Sequence, residues 1–88
     1  MTAATAEIAE RVVVVVNPGC HLCEDAMRVV AEVCGELGVG WRPVELATVE
    51  EPLRSQWREL IPVILVDGEV HDVFRAVPRR LREALSST

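Results

Sequence analysis

The chain opens its hydrophobic pattern with five consecutive valines, Val12 to Val16, its longest apolar run. A short β-branched run without alternation predicts a strand buried on both faces, in the manner of a parallel sheet. Asn17-Pro18-Gly19 ends it with turn residues. The period then changes. From Cys20 to Leu37, positions Leu22, Ala26, Val29, Val30, Val33 and Leu37 fall on one helical face, while Glu24, Asp25, Arg28, Glu32 and Glu36 cover much of the other. Gly35, Gly38 and Gly40 supply a stop. Trp41 to Leu46 reads as a second strand. Glu50 to Leu60 reads as a second helix, with Pro52 tolerated in its first turn. Val63 to Val66 is a third strand, and Asp67-Gly68 turns it through a two-residue hairpin into Glu69 to Val73. Pro78 opens a last helix, with Leu81, Ala84 and Leu85 facing inward.

The predicted order is β-α-β-α-β-β-α, an α/β fold with a four-stranded mixed sheet flanked by three helices. Its first two strands run parallel through a right-handed crossover, and the last two form an antiparallel hairpin. Residues 1–10, rich in Ala, Thr and Glu, are expected to be flexible, with residues 11–88 forming one domain. With 88 residues, half of them hydrophobic, the chain can bury a single modest core. The aromatics are only Trp41, Trp57 and Phe74, so that core is aliphatic.

Charge narrows the partners. Fourteen acids oppose nine bases, all arginine, for a net charge of −5. Such a surface repels phosphate backbones and acidic lipid, and it lacks the aromatic platforms of single-strand binding. We therefore expect no nucleic-acid partner and no membrane association. The start of the chain has no basic, apolar leader pattern, which predicts a cytoplasmic location. In that compartment thiols stay reduced, and a Cys-x-x-Cys is more often catalytic or metal-binding than structural.

Cys20-His21-Leu22-Cys23 sits where the first strand gives way to the first helix. Free N–H groups and the positive end of the helix dipole favour a thiolate there. His21, when protonated, adds positive charge. The three-residue offset brings both sulfurs to the same helix end, with Cys20 at the exposed tip and Cys23 one turn in. A zinc site is the weaker reading. Zinc needs about four ligands, and the remaining candidates are His21, His71 and Cys34. Cys34 lies 11 residues beyond Cys23, roughly 16 Å along a helix, so it is expected to be a buried small hydrophobe. We expect no metal. His71 is read as a solvated edge-strand residue, Trp57 as packing the second helix onto the sheet, and Arg75, Arg79, Arg80 and Arg82 as a solvated helix face.

The stretches VVVVVNPGCHLCEDA and, about 40 residues later, LIPVILVDGEV resemble the glutaredoxin-like branch of the thioredoxin superfamily. The likeness covers residues 11 to about 85. It implies a thioredoxin-like fold and a thiol–disulfide oxidoreductase, with Cys20 as attacking thiol and Cys23 as resolving thiol. Ile61-Pro62 matches the family's cis-proline loop, which faces the dithiol and binds substrate backbone; His21 joins Ile61 and Pro62 as a substrate-binding candidate. The implied substrate is a disulfide-containing protein or small mixed disulfide, acted on by a monomer. No cofactor is required beyond a low-molecular-weight thiol, or a reductase, as reductant. The alternative is a non-catalytic binding module, for example a dimer bridged by an iron–sulfur cluster. The chain departs from the family pattern in having CHLC rather than CPYC or CGFS, Asn17-Pro18-Gly19 where a Lys usually precedes the motif, Leu60-Ile61-Pro62 for Thr-Val-Pro, and Asp72-Val73-Phe74-Arg75 for the glutathione-holding Gly-Gly-x-Asp. These departures predict weak glutathione binding.

Overall fold

The computed structural model describes residues 10–86. Among them the order is β1 (Glu10–Val16), α1 (His21–Leu37), β2 (Gly40–Glu45), a 3-10 turn (Leu46–Thr48), α2 (Leu53–Trp57), β3 (Val63–Val66), β4 (Glu69–Val73) and α3 (Pro78–Ser86). The sheet order is β2-β1-β3-β4, with β1 parallel to β2 and antiparallel to β3, and β3 antiparallel to β4. This is the predicted thioredoxin-like mixed sheet. The expectation of a flexible residues 1–10 lies outside the described residues, except that Glu10 already belongs to β1.

The valine run does what its composition implies. Successive residues of a strand point to opposite faces, so Val12, Val14 and Val16 join Ile64, Leu81, Leu85 and the inner face of α1 in one core. Val15 faces the other way, onto Val63 and Leu46, with Val13, Trp57 and Leu60 packed at the margin. Asp67-Gly68 has positive φ at both residues, 53° and 85°, the turn geometry whose twist matches an antiparallel hairpin. Gly68 meets that demand freely; Asp67 is among the few other residues that tolerate it.

Four expectations shift. On α1 the buried face is Cys23, Ala26, Val30, Val33 and Cys34, while Leu22 and Leu37 are exposed. The stripe is rotated because the helix docks on two small thiols at its ends, where side-chain hydrophobicity alone favours the leucines. The second helix is only five residues long. No residue of it is buried. Trp57 and Leu60 rest at the core margin, Arg54 donates to the Val49 carbonyl at 3.4 Å, and its start is fixed by Glu51, whose carboxylate accepts bonds from the Ser55 N–H (3.0 Å) and hydroxyl (2.9 Å). Leu46 leaves the second strand to become the buried residue of the 3-10 turn. His71, read as solvated, is half-buried. It lies where the β3–β4 register slips by one residue, and its Nε2 is enclosed without a hydrogen-bond partner among the described residues.

At the end of the sheet where β1 begins, Arg11 grips the hairpin. Its Nε and Nη2 each lie 2.9 Å from an Asp67 carboxylate oxygen, and Nη1 donates to the Leu85 carbonyl of α3 at 3.3 Å. The paired guanidinium holds the Asp67 carboxyl below the usual carboxylate range. Two of the clustered arginines are likewise engaged, Arg80 with Asp72 and Arg82 with Glu36. No helix of the described residues is long and apolar enough to cross a membrane.

The rotated α1 face is checkable. Leu81→Ala, which empties a fully buried site, should lower the unfolding free energy by about 2–5 kcal/mol. Leu22→Ala should change it by no more than about 0.5 kcal/mol. Urea titrations followed by far-UV circular dichroism measure both; a large loss at Leu22 would restore the sequence-derived face.

Candidate functional site: a dithiol at the β1–α1 junction

Everything at this site follows from where β1 stops. Pro18 cannot continue the strand, and Gly19 turns the chain with φ 70°, a left-handed value at which a side chain is strained. Cys20 comes next, in extended conformation (φ −98°, ψ 110°), as the N-cap of α1. Its sulfur accepts the Cys23 N–H at 3.2 Å, the place an oxygen takes in an ordinary helix cap. Cys20 is half-buried and Cys23 is 1% exposed. Both are free thiols, as is the buried Cys34.

The two thiols of the pair differ in more than exposure. Cys23 is pushed up to about 11, first by burial and then by the hydrogen bond it gives to Cys20, with a backbone N–H from Asn17 opposing. It is therefore a protonated donor at neutral pH, aimed at its neighbour's sulfur. Burial also raises Cys34, with Arg11 opposing.

The sheet brings other segments to the same end. Val15 is opposite Val63, and Val63 is opposite Val73, with about 4.8 Å between neighbouring strands. The loop entering β3 and the residue leaving β4 thus flank the end of β1. The Ile61–Pro62 bond is cis, as the resemblance implies. Pro62 is fully buried, and Ile61 packs against the same core cluster as Cys20. Among the described residues no backbone hydrogen bond engages Ile61. His21 is almost wholly solvated, with its Nδ1 3.8 Å from Glu24. Among the described residues no three His, Cys, Asp or Glu side chains converge as a metal site.

Two participants escaped the sequence reading. Asn17 reads only as a turn residue, yet its backbone opposes the rise of the Cys23 thiol. Phe74 follows β4 with φ 73° and donates its N–H to the carbonyls of Pro62 (2.8 Å) and Leu60 (3.3 Å). No local signal marks a phenylalanine for that geometry, since Gly or Asn is its usual occupant.

The model of the family described as Glutaredoxin-like domain (DUF836) matches residues 11–86. Uncharacterized proteins of Mycobacterium tuberculosis and Mycobacterium bovis are each 29% identical over 68 residues, which covers 73% of this chain and 70% of theirs. Among solved structures, a structural-genomics target from X. campestris superposes with a TM-score of 0.68 at 20% identity, over 88% of this chain and 97% of the other. A glutaredoxin from Archaeoglobus fulgidus superposes with a TM-score of 0.54 at 16% identity, over 89% and 88%. At such identities the structural likeness speaks to the fold.

Exposure and the raised Cys23 value give two expected outcomes. In the reduced protein at neutral pH, iodoacetamide should alkylate Cys20 well before Cys23 or Cys34, as read by peptide mapping; equal rates would remove the distinction between them. Because the folded Cys23 value lies above its ordinary 9.0, the folded state keeps a proton there that the unfolded state releases. Its contribution to stability is complete below pH 9 and is lost as pH rises toward about 11. The melting temperature should fall across that window, and less steeply in Cys23→Ala.

Proposed function

The chain belongs to the Glutaredoxin-like domain (DUF836) family, and on that premise we propose that it is a thiol–disulfide oxidoreductase with Cys20 as nucleophile and Cys23 as resolving thiol. The observation that carries this reading is the inequality of the pair: a half-buried thiol at the helix cap, accepting the Cys23 N–H, and a fully buried thiol held protonated beside it.

In its thiolate form Cys20 attacks one sulfur of a substrate disulfide. The substrate S–S bond breaks, a Cys20–substrate disulfide forms, and the first substrate thiolate leaves and takes a proton. Cys23 then gives up its proton and attacks the Cys20 sulfur. The mixed disulfide breaks, the second substrate thiolate takes up that proton, and the protein is left with a Cys20–Cys23 bond. Two electrons and two protons have passed to the substrate. A low-molecular-weight thiol or a reductase restores the dithiol. The cap N–H from Cys23 steadies negative charge on Cys20 whenever that sulfur is attacker or leaving group.

Ile61 and Pro62 take the substrate-binding part. The uncommitted backbone groups of Ile61 can pair with substrate main chain as a short added strand. The exposed His21 stands beside Cys20 on the approach side. The chain acts as a monomer in the reducing cytoplasm. Glutathione is a poor ligand, because the Gly-Gly-x-Asp element is replaced and Asp72, in that stretch, is held by Arg80 at 2.6 Å.

The test is a disulfide-reduction assay with single variants. Cys20→Ser should abolish turnover. Cys23→Ser should accumulate a covalent substrate adduct on Cys20, seen as a mass increase that dithiothreitol reverses. Full activity in either variant overturns the assignment. Titration with glutathione should give no tight saturable binding, and affinity like that of ordinary glutaredoxins would show the departures to be neutral.

A further inference from the structure

Phe74 combines two features that packing does not account for. Its φ of 73° is a left-handed value that a bulky L-residue rarely adopts. The backbone has a reason for that geometry, since it lets the Phe74 N–H bond the carbonyls of Pro62 and Leu60 and so ties the exit of β4 to the entry of β3. The side chain has none. Glycine takes the same conformation without strain, and the Phe74 ring is 48% exposed. Strained, over-determined residues cluster at ligand clamps.

A second exposed apolar group shares this end of the sheet. β4 runs in the same direction as β1, because each is antiparallel to β3. Phe74 and the CHLC motif therefore leave the sheet on one side, and Leu22, between the two cysteines, is 53% exposed. The acidic residue of the first turn of α1 is Glu24, solvated and 3.8 Å from His21, and the Asp25 that follows pairs with Arg28 at 3.3 Å. The exposed Arg75 follows Phe74 in sequence.

We propose that Phe74 is a specificity-determining residue of the dithiol site: its ring receives a non-polar side chain next to the half-cystine of an extended polypeptide substrate, and Leu22 extends that apolar surface. The inference rests on the oxidoreductase reading and names its substrate class. A small anionic thiol offers nothing to an aromatic ring and meets the solvated Glu24. A polypeptide carries side chains on both sides of its cysteine, so one of them can cover Phe74 while the sulfur reaches Cys20.

The experiment uses the full chain and two peptides with an intramolecular disulfide, identical except for Leu or Asp beside the attacked cysteine. The wild type should prefer the Leu peptide by about tenfold in kcat/KM. Phe74→Gly should remove that preference through KM, with a melting temperature equal to or above that of the wild type because the strain is relieved. Phe74→Tyr, which keeps the ring, should retain the preference. If the wild type reduces neither peptide, the oxidoreductase reading fails. If it reduces both alike, or if Phe74→Gly keeps the preference, this inference alone fails. A Phe74→Gly protein that melts several degrees lower would make the ring a packing element and overturn the proposal as well.

Discussion

A strand of five valines sealed on both faces has no freedom to slide. Moving β1 by one residue would carry Val12, Val14 and Val16 out of the α1–α3 core and put Val13 and Val15 in their place. Hydrogen bonding to β2 on one side and β3 on the other fixes the same register from both edges. The last valine therefore ends at one point, Asn17-Pro18-Gly19 turns the chain there, and Cys20 arrives at the start of α1. The position of the reactive sulfur is a consequence of burying β1.

The spacing of three between the cysteines then serves packing and chemistry together. Position Cys20 is the cap and faces out. Position Cys23 is one turn in and lies on the stripe with Ala26, Val30, Val33 and Cys34 that docks the helix on the sheet. The same burial that holds α1 down also pushes the Cys23 thiol up to about 11. A larger apolar residue at Cys23 would dock the helix and lose the chemistry. A pair of exposed cysteines would have the chemistry without the inequality between attacker and resolver.

Much of this was legible in the sequence because it depends on local pattern: the valine run, the Asp67-Gly68 hairpin, the motif at the strand–helix junction, and the Pro78 start of α3. The cis bond before Pro62 was reachable only through family resemblance. What the sequence hid depends on partners distant along the chain. Arg11 and Asp67, 56 residues apart, form a bidentate pair, and nothing near either residue announces it. On α1 the expected Ala26, Val30, Val33 and Cys34 are buried, and only Leu22 and Leu37 leave the face, with Cys23 taking the inward place beside Leu22. The second helix is shorter than the segment Glu50 to Leu60 suggests because only Trp57 and Leu60 pack on the sheet, while no residue of Leu53–Trp57 is buried. His71 and Phe74 owe their surroundings to a register slip and to a left-handed turn, features of three-dimensional pairing with no signature in residue type.

Burying the resolving thiol raises an apparent contradiction, since a sulfur that is 1% exposed cannot meet a substrate. It does not have to. In the mixed disulfide its target is the sulfur of Cys20, already one helical turn away and already its hydrogen-bond acceptor in the dithiol. In the exchange proposed above only the incoming disulfide must reach the protein, and it would do so at the half-buried Cys20, the cap of α1. Burial favours the protonated form of Cys23 and keeps its sulfur from solvent. The Asn17 backbone, which favours negative charge on the Cys23 sulfur, would assist the deprotonation that the proposed resolution requires. In that proposed exchange the turn that ends β1 serves both thiols, placing Cys20 at the cap of α1 and its Asn17 backbone beside Cys23.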